Sequence, residues 1–147
     1  MIRPLLATAM IVLGAVPALA QGEAVKSRQD LMKRSEDSAT VLFRMTRGEV
    51  PFDRAKVDAS YAQLEAAAKQ FPTLFPANTA GDGAGNRASS KIWENGADFA
   101  AKNERFAKAV GEGKARSTNL DGLKTAFGAI DSACSDCHRN YRLSRRR

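Results

Sequence analysis

Leu120-Asp121-Gly122-Leu123-Lys124-Thr125-Ala126-Phe127-Gly128-Ala129-Ile130-Asp131-Ser132-Ala133-Cys134-Ser135-Asp136-Cys137-His138-Arg139-Asn140-Tyr141 carries apolar or sulfur side chains at Leu120, Leu123, Phe127, Ile130, Cys134, Cys137 and Tyr141. Their spacings alternate between three and four, the stripe of an amphipathic helix. The cysteines continue that stripe, so both thiols are expected to look into a core. His138 lies beside them, with Tyr141 one turn further along.

Three more segments share this periodicity, and no stretch alternates convincingly at period two. The first runs from about Ala24 to Arg47 and stops at Gly48, with Pro51 just beyond. The second starts behind Asp53 as N-cap, spaces Val57, Tyr61, Leu64, Ala68 and Phe71 by four and three, and is ended by Pro72. From Pro72 to Ser89 the residues Pro76, Asn78, Gly81, Gly83, Gly85 and Asn86 break any helix. This is a long connection and not a domain boundary, because neither side could form a core alone. Ser89 or Ser90 is expected to cap a third helix to about Val110, with Trp93, Phe99, Phe106 and Val110 as apolar members and Gly111 and Gly113 closing it. The fourth begins near Thr118, with Asp121 completing a weak capping box. The expected fold is all-α: an antiparallel four-helix bundle, in which cofactor sites are built from side chains on facing helices.

The chain's two cysteines and its single histidine fall within Cys134-Ser135-Asp136-Cys137-His138. C-x-x-C-H is the attachment sequence of c-type haem: both thiols add to porphyrin vinyl groups and the adjacent imidazole takes one axial position on iron. At average Cys and His usage, chance would produce it in such a chain well below about one time in a hundred. Structural zinc needs four N/S ligands where only three exist. A thioredoxin-like dithiol sits at a helix N-terminus after a strand, unlike this pair. A Cys134–Cys137 disulfide would close a loop too small for a regular helix. Covalently attached haem c, one per chain, is the expected cofactor.

The N-terminus has a short basic head, an apolar run from Leu5 to Val16 and Pro17-Ala18-Leu19-Ala20 before Gln21. It reads as a signal peptide over residues 1–20, cleaved after Ala20. Residues 21–147 are then a single domain, large enough for one core. No second hydrophobic span follows, so no stable membrane insertion is expected. Covalent haem attachment in bacteria follows translocation, which makes the periplasm the expected location. The formal charge of +7, about +6 without Arg3, is partly concentrated in Arg142, Arg145, Arg146 and Arg147. Such a patch suits redox partner proteins with acidic docking surfaces or an anionic membrane surface, or merely aids solubility. Nucleic acid is not an expected partner, since no binding module is recognisable.

His138 supplies one axial ligand, and no second histidine exists. With Met1 and Met10 in the signal, the opposite side of the ring falls to Met32, Met45 or nothing. Val25, Arg28, Met32, Ser35, Ala39 and Leu42 share one face of the first helix, and small Ser35 and Ala39 near Met32 leave room for something planar. Arg28, one turn before Met32, is sensible in a core if it pairs with a haem propionate. Met45 reads as packing.

With its haem motif at the end of the last helix, the chain resembles the class II c-type cytochromes, the cytochrome c′ family. The resemblance covers essentially the whole mature chain. It is carried by Arg28-Gln29-Asp30-Leu31-Met32-Lys33, Phe71-Pro72-Thr73-Leu74-Phe75-Pro76, Ser90-Lys91-Ile92-Trp93 and Ala133-Cys134-Ser135-Asp136-Cys137-His138-Arg139-Asn140-Tyr141-Arg142. One branch of the family has five-coordinate iron that binds diatomic gases; in the other a first-helix methionine completes a six-coordinate, low-spin iron. The Leu31-Met32-Lys33, Phe-Pro and Lys-Ile-Trp stretches resemble the low-spin branch. The resemblance implies Met32 as sixth ligand, Arg142 at the haem edge, and pairing as a homodimer through the first two helices in many members. The function so implied is one-electron transfer by an electron carrier and not catalysis. Its alternative is a five-coordinate protein binding nitric oxide or carbon monoxide with Met32 off the iron. A peroxidase-like enzyme lacks a distal histidine.

Overall fold

The computed structural model describes residues 16–80 and 85–144. It contains five helices: α1 (Val16–Thr46), α2 (Arg54–Gln70), α3 (Lys91–Glu94), α4 (Gly96–Arg116) and α5 (Leu120–Tyr141). The four long ones close a ring, α1 on α2, α2 on α4, α4 on α5 and α5 back on α1. This is the expected up-down bundle. The signal-peptide reading falls mostly on residues 1–15, outside the described residues, and α1 runs through the Ala20–Gln21 junction.

Local chemistry accounts for the boundaries. Gly48 ends α1 at φ +71°, a conformation that costs glycine little. Asp53 caps α2 by accepting from the Lys56 amide at 3.1 Å. Beyond Gln70 the chain tightens into 3-10 turns over Phe71–Leu74 and Ala77–Thr79.

Three boundaries differ from the sequence reading. The third helix is interrupted: Asn95 leaves helical backbone (φ −131°, ψ 58°) and its side chain accepts from the Asp98 amide, so it starts α4 afresh after the single turn of α3. That helix also runs through Gly111 and Gly113 to Arg116. Gly113 is there for closeness, since a Cβ would lie 2.9 Å from Tyr61 Oη and 3.2 Å from Ile130 Cδ1. The last helix is capped by Asn119, which accepts from the Gly122 amide at 2.9 Å, one residue beyond the expected Thr118.

Two clusters fill the interior. Leu42, Met45, Val57, Tyr61, Leu64, Val110, Leu123 and Ile130 form the bundle core, with Cys134 packed against it. Ile92, Phe99 and Tyr141 form a second cluster together with Phe71, Phe75 and Trp93, and Cys137 packs against that one. Burial of such apolar surface is the main stabilising term for the fold. The motif thus lies on the seam between two cores.

Candidate functional site

Cys134 and Cys137 lie in the last third of α5, half-buried and unpaired. Burial pushes the Cys134 thiol up to about 11, with the Asp131 carboxylate adding to it, and burial raises Cys137 as well. Redox dithiols need the opposite shift, so these thiols are not arranged as a thioredoxin-like pair. Among the described residues no group of three or more His, Cys, Asp or Glu gathers round a point where a bare ion could sit.

His138 is half-buried beside them. Burial lowers its pKa, the charges of Arg142 and Arg87 lower it further, and Glu36 opposes them. A neutral ring offers a lone pair, which is what a metal requires. Arg142 is exposed at the C-cap of α5, its amide donating to His138 O at 3.1 Å. The connection before α3 is tied to this same end: Ser89 N donates to Tyr141 O at 3.0 Å and Leu143 N to Arg87 O at 2.9 Å.

Arg28 reaches into the site from α1. It is only 5% exposed. Its Nε donates to Leu74 O at 2.6 Å and its Nη2 to Thr79 Oγ1, while the guanidinium carbon stands 4.3 Å from the Phe75 ring centroid. Trp93 Nε1 donates to Phe75 O at 3.2 Å, fixing the same loop. Among the described residues Arg28 Nη1 is buried without a hydrogen-bond partner. A buried guanidinium N–H left unmade costs free energy, so an anionic acceptor from a bound group fits this position. With two free thiols and a half-buried imidazole on the facing helix, the residues present fit a covalently held haem.

The first-helix stripe is shifted from the expected one. Leu31, at 1% exposed, takes the core position in that turn, while Met32 and Ala39 are half-buried on the neighbouring strip. Arg28, Ser35 and Leu42 are buried as expected, and Met45 is core packing at 1%.

The family model described as Cytochrome C′ matches residues 23–142. The chain belongs to the cytochrome c′ family. It is a class II c-type cytochrome, with one covalently bound haem c per chain. This cytochrome is 37% identical over 145 residues to cytochrome c-556 of Rhodopseudomonas palustris, covering 97% of each chain. It is 35% identical over 144 residues to cytochrome c-555 of Bradyrhizobium diazoefficiens, covering 96% of this chain and 97% of that one. Among solved structures, that of oxidised R. palustris cytochrome c556 superposes with a TM-score of 0.77 at 36% identity, over 85% of this cytochrome and 99% of that chain. Among the described residues no helix is long and apolar enough to cross a membrane.

Proposed function

We propose that this cytochrome is a periplasmic one-electron carrier. In this reading its haem is thioether-linked to Cys134 and Cys137, its iron is held by His138 and Met32, and residues 1–20 are a cleaved signal peptide. So bound, the haem supplies an Fe(III)/Fe(II) couple. The observation that carries the reading is the pair of unpaired thiols on the inner face of α5 beside a half-buried His138. It is supported by a half-buried Met32 one helical turn from a buried Arg28 that has a spare N–H.

Each residue then has a distinct task. Cys134 and Cys137 tether the group to the seam of the two cores. His138 donates a nitrogen lone pair, and its lowered pKa keeps that pair from being lost to a proton. Met32 offers a soft thioether, which favours the ferrous state. Arg28 Nη1 donates to a propionate, held in aim by Leu74, Thr79 and Phe75. Arg142 stands at the haem edge, where its charge suits an acidic docking surface on a redox partner. With both His138 and Met32 holding the iron, no position would be left for a substrate, and the role would be a carrier's and not a catalyst's.

The test is an absorption spectrum of the purified holoprotein, oxidised and reduced, with and without carbon monoxide. Low-spin bands unchanged by the gas are expected. Met32→Ala should turn them high-spin and gas-sensitive. High-spin, gas-sensitive bands in the unmodified protein would instead make it a five-coordinate gas binder with Met32 off the iron.

A further inference from the structure

Inside the bundle, α4 and α5 are joined by an ion pair. Lys102 of α4 is 6% exposed. Its Nζ donates to Asp136 Oδ2 at 2.6 Å and stands 4.0 Å from Asp98 Oδ2. Asp136 lies between the two motif cysteines. Asp98 in turn accepts from Tyr141 Oη at 2.6 Å. Tyr141, Asp98, Lys102 and Asp136 thus form a polar chain that runs past Cys137.

The partners of this chain are not equally shielded. The Asp98 and Asp136 side chains are 38% and 36% exposed, against 7% for that of Lys102. Arg105, which approaches Asp136 at 4.0 Å, is 61% exposed. Asp136, Arg105 and Lys102 border one open cleft of about 510 Å3, on which the Lys102 side chain keeps only 7% of its surface exposed. Water screens the carboxylates and Arg105 far more than it screens the ammonium. An apolar side chain of similar volume would fill the place of Lys102 without the desolvation cost of a buried charge. The group is built onto the motif itself: Asp136 directly precedes Cys137, and Tyr141 belongs to the aromatic cluster against which Cys137 packs.

We propose that Lys102 is the fixed positive charge that tunes the reduction potential of this cytochrome, with Asp136 and Asp98 holding it at a set distance from the Cys137 side of the haem. The inference rests on the thioether attachment to Cys134 and Cys137. Reduction adds one electron and no proton, the electron coming from a partner protein or, in a titration, from a chemical reductant through a mediator dye. The charge of the group falls by one, and a neighbouring cation favours that state.

The experiment is a potentiometric titration of purified holoprotein, with intact mass and guanidinium unfolding measured on the same samples. Lys102→Gln should lower the ferrous-to-ferric ratio at fixed potential about tenfold, or ~59 mV, the order expected for the loss of one unit charge at an effective dielectric of about 20. Asp98→Asn keeps an acceptor for Tyr141 and should raise the ratio about two- to threefold, less because its carboxylate is screened. Lys102→Arg should stay within about twofold of the unmodified protein. A purely structural bridge would, when weakened, admit water and lower the ratio in both Lys102→Gln and Asp98→Asn, so opposite signs distinguish the two roles. Shifts in the same direction, or a haem-loaded Lys102→Gln within about twofold of the unmodified ratio, would overturn the inference alone. If Lys102→Gln does not fold, the pair Asp98→Asn and Lys102→Arg carries the test, and an unmoved or lowered ratio in Asp98→Asn overturns it. Intact mass without haem on the unmodified protein, matured in a host with a working cytochrome assembly pathway, would overturn the attachment and this inference with it.

Discussion

Gly113→Ala and Gly111→Ala are the same chemical change two residues apart on α4, and they should differ in stability. In a helix interior, alanine is favoured over glycine by about 0.8–1.0 kcal/mol. At Gly111 nothing lies within 4 Å of the added methyl, so the gain is realised. At Gly113 the same methyl would stand 2.9 Å from Tyr61 Oη, 3.1 Å from Tyr61 Cε1 and 3.2 Å from Ile130 Cδ1. Tyr61 cannot swing away, because its ring is fully buried and its hydroxyl is held 2.7 Å from Ser117 Oγ. Overpacking of this kind costs about 1–3 kcal/mol. The backbone gain is common to both variants, so their difference isolates the clash: Gly113→Ala should be less stable than Gly111→Ala by about 1–3 kcal/mol. Equilibrium guanidinium unfolding of the two holoproteins measures it. If both variants are stabilised equally, α4 does not approach α2 and α5 as closely as described, and the explanation of Gly113 as a contact residue is wrong.

Two further outcomes follow from named contacts. Ser117 Oγ donates to Gly113 O at 2.7 Å, so Tyr61 must be the donor to Ser117; Tyr61→Phe should cost about 0.5–1.5 kcal/mol in the same unfolding assay, and a neutral result would deny the bond. Asp53 has its pKa lowered chiefly by the Lys56 amide it caps. A depressed carboxyl stabilises the fold above its unfolded value and loses that contribution as pH falls through the folded one. Asp53→Asn keeps the cap, so the variant should show a shallower loss of stability below about pH 4; an unchanged acid limb would count against the cap.

The α5 stripe, the Gly48 stop, the Asp53 cap and the Pro72 break were legible because each is decided by residues within one or two turns. The Asn95 interruption was missed although its signal was present: Asn95-Gly96 is a breaker pair, and it sat inside an otherwise helical pattern. Gly111 and Gly113 read as a stop because sequence cannot say whether a glycine ends a helix or lets another element come close. Leu31 and Met32 are adjacent, and only packing against α2 and α5 decides which of them faces the core. The inward position of Arg28 is legible from its spacing to Met32, yet its partners Leu74, Thr79 and Phe75 are 46 or more residues away. Lys102 gave no hint, since Asp98 and Lys102 four apart look like an ordinary surface pair; its partner Asp136 is 34 residues away on α5.

The chain has one tryptophan, and it belongs to the aromatic cluster that touches Cys137. Trp93 lies 5.9 Å from Phe75, which in turn meets Phe99 at 5.0 Å, and Phe99 meets Tyr141 at 5.2 Å. Indole emission is therefore a reporter built into one end of the molecule: dark while a porphyrin is near enough to take its excitation, bright once that end comes apart. Far-ultraviolet circular dichroism, which follows the long helices as a whole, reports the main bundle separately. Comparing the two during denaturation shows whether the cofactor end and the main bundle open together or one before the other.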